Sequence, residues 1–223
     1  MRLLIIEDNI ELSNFTKIGL EKMGFYVDVS NNGIDGEEKA YVNRYDAILL
    51  DLNLPDKDGL EILKYLRTSK INVPIIIITA RDEISERALG LDLGADDYIV
   101  KPFQLIEIRS RIHAIIRRFH GRTNPIIVIG CITLNPLTRV VNVKGKTLSL
   151  TTKEFDILQH LAELHPAVVS SEEIAEHIYD ENFDPFSSVL RVHIARLKKK
   201  LNAAYGKDIL LNIRGKGYIL CVE

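Results

Sequence analysis

Four apolar runs in the first half of the chain each end on a residue that can do chemistry. Leu3-Leu4-Ile5-Ile6 leads into Glu7 and Asp8, and Ala47-Ile48-Leu49-Leu50 into Asp51. Ile75-Ile76-Ile77-Ile78 leads into Thr79, and Tyr98-Ile99-Val100 into Lys101 and Pro102. Short apolar runs of this kind read as strands buried on both faces. Open α/β sheets place their ligands at the carboxyl ends of such strands. Three carboxylates, a hydroxyl and an ammonium would then meet at one sheet edge. Hard oxygen ligands suit Mg²⁺, and an Asp beside that ion can attack phosphorus to form an aspartyl phosphate. The metal and Lys101 would offset charge on the phosphoryl oxygens, and Thr79 could hydrogen-bond one of them. A single Asp after a strand is more often a turn former or a helix cap. The reading rests on the combination, each group following its own strand in order.

The elements that must hold these groups follow from punctuation and periodicity. Asn9 can cap a helix running to about Met23, with Leu12, Phe15, Gly19 and Met23 inward, and Gly24 ends it. Residues 26–29 form a second strand, and a helix from about Gly33 to Asn43 leads back to the strand before Asp51. Pro55 and Gly59 break the chain into a loop. Leu60, Leu63 and Leu66 mark the next helix, Ile84, Ala88 and Leu91 a fourth, and Leu105, Ile108, Ile112 and Ile115 a long fifth. Five alternations of strand and helix give a five-stranded, doubly wound parallel sheet.

At 223 residues the chain has room for one domain or two, and its 46% apolar content is ordinary for a globular protein. Cys131 and Cys221 lie far apart, neither in a CxxC pair, so no metal or disulfide framework is implied and a reducing cytoplasm fits. The apolar run after Arg2 is too short for a signal-peptide core, and no stretch approaches the ~20 apolar residues of a membrane span. The net charge is −2. Residues 1–124 carry seventeen basic and twenty acidic side chains, residues 125–223 twelve and eleven. Within 191–216, however, eight bases stand against one acid, Asp208. Local concentration of this kind is what a nucleic-acid surface needs.

The second half has its own organisation. Residues 121–125 read as a short linker between a first domain, 1–120, and a second, 126–223. Strand-like pieces at 126–129, 131–134, 139–143 and 147–150, with turns at Asn135-Pro136 and Lys144-Gly145, give a small antiparallel sheet. Thr151 and Glu154 make a capping box for a helix with Phe155, Leu158 and Leu161 inward. Ser170 and Ser171 with Glu173 start a second helix through Tyr179. A third runs from about Pro185 to Asn202, with Leu190, Ile194, Leu197 and Leu201 in one arc. Ser188, Val192, Arg196 and Lys199 lie in the opposite arc, flanked by Arg191, His193, Lys198 and Lys200. One apolar stripe and one basic face suit a helix laid in a DNA major groove. The chain ends in two strands joined by a tight Gly turn carrying Arg214 and Lys216, a wing able to reach a minor groove. Sheet, three helices and wing amount to an α+β winged-helix domain.

Both halves resemble a known family. Glu7-Asp8, Asp51, Thr79 and Lys101-Pro102 are similar to the receiver domain of two-component response regulators. Leu150-Thr151-Thr152-Lys153-Glu154-Phe155, residues 192–201 and Arg214-Gly215-Lys216-Gly217-Tyr218 resemble the effector domain of the OmpR/PhoB type. The resemblance implies that Asp51 accepts the phosphoryl group. Glu7, Asp8, Asp51 and the main-chain carbonyl of Asn53 would hold Mg²⁺. Thr79 would be the switch hydroxyl, Tyr98 the switch aromatic and Lys101 the conserved-type lysine, with a cis Lys101–Pro102 bond. It also implies a symmetric dimer face. Across it Arg87 would pair with Glu107, Asp97 with Arg111, and Asp96 with Arg118. Asp92 belongs to the same face, with His113 where the family more often has Lys. Without the resemblance, these alternating charges would read as a solvated face. On DNA, Ser188, Val192 and Arg196 would face base edges, His193, Lys198 and Lys199 would meet phosphates, and Arg214 would enter the minor groove. Arg191 stands where the family usually has Asp; it can add a phosphate contact or alter the packing beside the helix.

The function so implied is a cytoplasmic transcription regulator, phosphorylated on Asp51 by a sensor histidine kinase, dimerising and binding promoter DNA. RNA polymerase is a further partner that the resemblance allows. It is no enzyme beyond slow Mg²⁺-dependent self-phosphorylation and self-dephosphorylation, the latter set partly by Asn53 and Arg81. Two rivals differ in class. A phosphatase of the haloacid-dehalogenase type needs Asp-x-Asp, and Asn53 cannot act as the second acid. A regulator that binds DNA without phosphorylation would have no need of the complete set Glu7, Asp8, Asp51 and Lys101.

Overall fold

The computed structural model describes residues 1–179 and 188–222, in two compact units, Met1–Phe119 and His120–Glu223. In the first, five parallel strands run in the order β2-β1-β3-β4-β5: β1 (Arg2–Ile6), β2 (Tyr26–Ser30), β3 (Ala47–Leu50), β4 (Ile75–Thr79) and β5 (Asp97–Val100). Side chains alternate across the pleat, so each strand feeds two cores. Leu3, Ile5, Ile76 and Ile78 meet Leu20 of α1 (Ile10–Lys22) and Ile108, Ile112, Ile115 and Ile116 of α5 (Leu105–Phe119). Leu4, Ile6, Ile75 and Ile77 meet Ala40 of α2 (Gly33–Val42) and Ile62, Leu63 and Leu66 of α3 (Gly59–Thr68). The doubly wound sheet expected from the sequence is thus present.

Two helices differ from the periodicity reading in how they face the sheet. In α1 the buried residues are Ser13, Thr16 and Leu20, and Phe15 is 61% exposed. Small side chains take the inward face because the helix lies close to its neighbours. A Cβ on Gly19 would come within 2.3 Å of Leu105 Cδ1. In α4 (Ile84–Asp92) only Gly90 is buried, against Ile77, and Ile84 is 83% exposed. The stripe that marks this helix therefore points to solvent. Gly59, read as a loop breaker, is the first residue of α3. A Cβ there would lie 2.3 Å from the main-chain oxygen of Asp51, so only glycine lets α3 start this close to the end of β3.

The second unit opens with a four-stranded antiparallel sheet: β6 (Ile127–Ile129), β7 (Ile132–Asn135), β8 (Val140–Val143) and β9 (Lys146–Thr147). The last strand is shorter than the expected 147–150. Then come α6 (Thr152–Glu163), α7 (Ser171–Ile178), α8 (Val189–Tyr205) and the hairpin β10 (Leu210–Ile213) and β11 (Gly217–Leu220). The capping box at Thr151 and Glu154 is formed. The expected start of the third helix, 185–187, lies outside the described residues. Leu190, Ile194, Leu197 and Leu201 are buried, as the arc required. Periodicity missed how completely α6 is enclosed. Glu154, Asp156, Gln159 and His160 are buried beside the apolar Phe155, Leu158 and Leu161. Its acids pair outward with bases: Glu154 with Lys200 at 2.7 Å, Asp156 with Arg139 at 2.5 Å and Glu163 with Arg122 at 3.2 Å.

Candidate functional site

Three strand ends bring their charged groups into direct contact. Lys101, just past β5, donates through Nζ to Glu7 Oε2 and to Asp51 Oδ2, both at 2.6 Å. The other Asp51 oxygen accepts from Asn53 N–H at 3.1 Å. Glu7 and Asp51 are buried and Asp8 is exposed, yet carboxylate oxygens of all three lie within 4.8 Å of one another. Burial, opposed by the bond from Lys101, holds the Glu7 carboxyl above its usual range. Burial also works against the charge on Lys101, but the bonds to Asp51 and Glu7 outweigh it and raise its pKa. Lys101–Pro102 is cis. Hard oxygens at this spacing could hold a metal ion.

Thr79 and Tyr98 are linked to this cluster by Arg81, a residue expected to play only a minor part. The Tyr98 hydroxyl donates to the Arg81 carbonyl at 2.8 Å, and Arg81 N–H donates to Thr79 Oγ1 at 3.4 Å. The Arg81 guanidinium donates to Asn53 Oδ1 and Asp58 Oδ2, both at 2.7 Å. Asp58 also caps α3 through Leu60 N–H at 2.8 Å, and its bond to Arg81 raises the guanidinium pKa. One arginine thus ties the β3–α3 loop to the inward-facing tyrosine. Tyr98 is only 6% exposed, and burial raises its pKa. A second missed acid, Asp56, accepts from Gly33 and Ile34 N–H at 2.7 and 2.9 Å. It thereby pins the same loop to the start of α2 and holds its own carboxyl below the usual range. The signal for both was available only as lone charges beside Pro55 and Thr79.

In the second unit Ser188, Arg191, Val192, Arg196 and Lys199 are exposed, while His193 and Lys198 are half-buried. Two bases of this segment are occupied: Lys200 by Glu154 and the Ser149 carbonyl, Lys198 by Asp208 at 3.1 Å. Among the described residues Arg191, Arg196, Lys199, Arg214 and Lys216 carry no ion pair. Burial, then Arg196 and Lys153, push the His193 imidazole below its usual pKa. The wing is fixed at its root, where Val169 and Tyr218 exchange two main-chain bonds of 2.8 Å.

Residues 3–113 match the family of response regulator receiver domains, and residues 145–220 match the C-terminal domain of transcriptional regulatory proteins. The chain belongs to the OmpR/PhoB-type two-component response regulators. The regulator is 40% identical over 220 residues to the transcriptional regulatory protein QseB of Escherichia coli O157:H7, covering 99% of both chains. It is 35% identical over 218 residues to the response regulator protein PmrA of Pseudomonas aeruginosa, covering 98% of this chain and 97% of that one. Among solved structures, the receiver domain of Francisella response regulator 1452 matches 53% of the chain and 98% of its own, with 33% identity and a TM-score of 0.52.

The regulator's charged positions around α4, β5 and α5 fall into two groups. Arg111 holds Asp97 at 2.9 Å and Glu107 at 2.8 Å within the one chain, and Asp97 and then Glu107 raise its pKa. Asp96 accepts from Arg67 at 3.1 Å and from Ile75 N–H at 2.8 Å. Arg87 stands with its guanidinium 5.8 Å from the Tyr98 ring centre. Asp92 and Arg118 are exposed. No helix among the regulator's described residues is long and apolar enough to cross a membrane.

Proposed function

We propose that the regulator takes a phosphoryl group from a sensor histidine kinase onto Asp51 and, as a homodimer, binds promoter DNA to control transcription in the cytoplasm. The observation that carries this is the Lys101 ammonium held between Glu7 and Asp51 at 2.6 Å, with Asp8 beside them. An Asp51 oxygen attacks phosphorus, the P–N bond of the kinase's phosphohistidine breaks, and the imidazole nitrogen keeps the electron pair. Glu7, Asp8, Asp51 and the Asn53 carbonyl would hold Mg²⁺, which offsets charge on the phosphoryl oxygens. Lys101, 2.6 Å from an Asp51 oxygen, would offset charge on those oxygens too, and Thr79, its hydroxyl engaged only by Arg81 N–H at 3.4 Å, is available to donate to one. Dimer contacts through Arg87, Asp92, Asp96, Asp97, Glu107, Arg111 and Arg118 require Arg111 and Asp96 to exchange the partners they hold within one chain. RNA polymerase is a partner consistent with this role.

One observation favours a second reading, DNA binding without phosphorylation. Tyr98 already stands inward, hydrogen-bonded to the Arg81 carbonyl, so this part of the switch needs no phosphoryl group to reach its buried position. Intact mass after incubation with a small phosphodonor, with and without Mg²⁺, separates the two readings when paired with light scattering. A single Mg²⁺-dependent phosphoryl group, absent in Asp51→Asn, and a doubled mass in solution support the first. Equal dimerisation and promoter binding by Asp51→Asn and the native chain would sink it in favour of the second.

A further inference from the structure

A cavity of about 480 Å³ lies between the first turn of α7, the start of α8 and the β10–β11 wing. Arg191 enters it from α8 and Lys216 from the wing tip. Neither has an ion pair among the described residues, although Lys198 and Lys200 nearby both do. Among the described lining residues Glu172 is the acid and pairs with neither cation, so these residues together carry a net positive charge. At ~100° per residue Arg191 is turned off the Val192–Arg196 face, toward the wing. The floor is rigid. Tyr218 and Val169 are joined by two 2.8 Å main-chain bonds, and a Cβ on Gly217 would meet the Val169 oxygen at 2.0 Å.

We propose that this cavity seats one backbone phosphate of bound duplex DNA, gripped at once by the recognition helix and the wing. The inference rests on the DNA-binding reading above and adds a shared site to it. Two cations from separate elements on a fixed floor make a charge-assisted, sequence-independent contact. Its role is positional: it sets the angle between α8 in one groove and the wing in the next.

The test uses the full chain and a labelled duplex of mixed sequence, with binding followed across a salt series. Variants are Arg191→Gln, Lys216→Gln, both together, and Glu172→Gln. A phosphate contact contributes about 0.9 to the slope of log affinity against log salt, or ~3.5-fold in affinity between 50 and 200 mM. If both cations hold one phosphate, the double variant loses about one such unit of slope in total, and its affinity loss is smaller than the product of the single losses. Glu172→Gln binds more tightly than the native chain, a sign that misfolding cannot produce. A slope loss near two units with multiplicative affinity losses means two separate phosphates and overturns the shared seat. Losses that change with duplex sequence mean base contact and overturn it too. Competition by inorganic phosphate at fixed ionic strength, lost in Arg191→Gln, would assign the seat to a free anion instead. A native chain that shows no salt-dependent duplex binding would defeat the DNA reading itself, a result distinct from all of these.

Discussion

Gly217→Ala should unfold the effector unit at a much lower temperature and leave the receiver's transition where it is. The added Cβ would fall 2.0 Å from the Val169 oxygen and 2.6 Å from its carbonyl carbon, both main-chain atoms that cannot swing aside. The Val169–Tyr218 bridge must open, losing two hydrogen bonds of 2.8 Å at about 1 kcal/mol each. Val169 is 0% exposed, so its freed N–H and C=O add a desolvation cost of about 1–2 kcal/mol. Alanine at the Gly217 φ of 137° brings strain of about 1 kcal/mol more. The total is about 4–5 kcal/mol, which for a domain of this size lowers the transition by about 15–25 °C. Gly215→Ala, in the same turn, is the control. Its φ is 72° but a Cβ there meets nothing within 4 Å, so only the strain of about 1 kcal/mol remains. Calorimetry on the full chain resolves the two transitions. If Gly217→Ala melts no lower than Gly215→Ala, the bridge does not hold the wing and the account of its root is wrong.

Two further outcomes follow from buried charge. Arg2 donates to Asp28 through Nε at 2.8 Å and lies 2.6 Å from it through a terminal nitrogen, with both side chains at most 5% exposed. Asp28→Asn should cost the receiver about 3–5 kcal/mol in urea unfolding, and a double change to apolar residues should restore most of it; an unaffected midpoint in Asp28→Asn would refute this. Glu154 is opposed by burial, but its bonds to Lys200 and Thr151 hold its carboxyl below the usual range. The unfolded chain therefore binds the proton more readily. Glu154 stabilises the effector fully above its unfolded pKa, and that contribution disappears as pH falls through the lower folded value. Glu154→Gln should flatten the acid limb of the effector's stability profile, and equal limbs in both proteins would show that the pair contributes nothing.

The receiver sheet and its acids were legible because a parallel strand buried on both faces leaves an unbroken apolar run, and Glu7, Asp8, Asp51, Thr79 and Lys101 each end one. Phe15 misled because periodicity reveals that a helix has an apolar stripe but not whether close approach demands small residues such as Ser13 and Thr16 instead. Ile84 and Leu91 behaved the same way, their helix resting on Gly90 alone. Arg81 and Asp56 act through partners on other loops, and Asp58, a local cap of α3, gives no sign in the sequence of its bond to Arg81. The buried acids of α6 were hidden for a related reason: each is neutralised by a base far away in the chain, as Glu154 is by Lys200.

Those α6 pairs bear on where the effector can be cut from the chain. A fragment beginning at residue 145, where the family likeness starts, would lack both Arg122 and Arg139. Asp156, with 1% of its side chain exposed in the full chain, and Glu163, with 3%, would lose the cations that face them. A fragment that keeps both pairs begins ahead of Arg122, as a cut at the seam between Phe119 and His120 would.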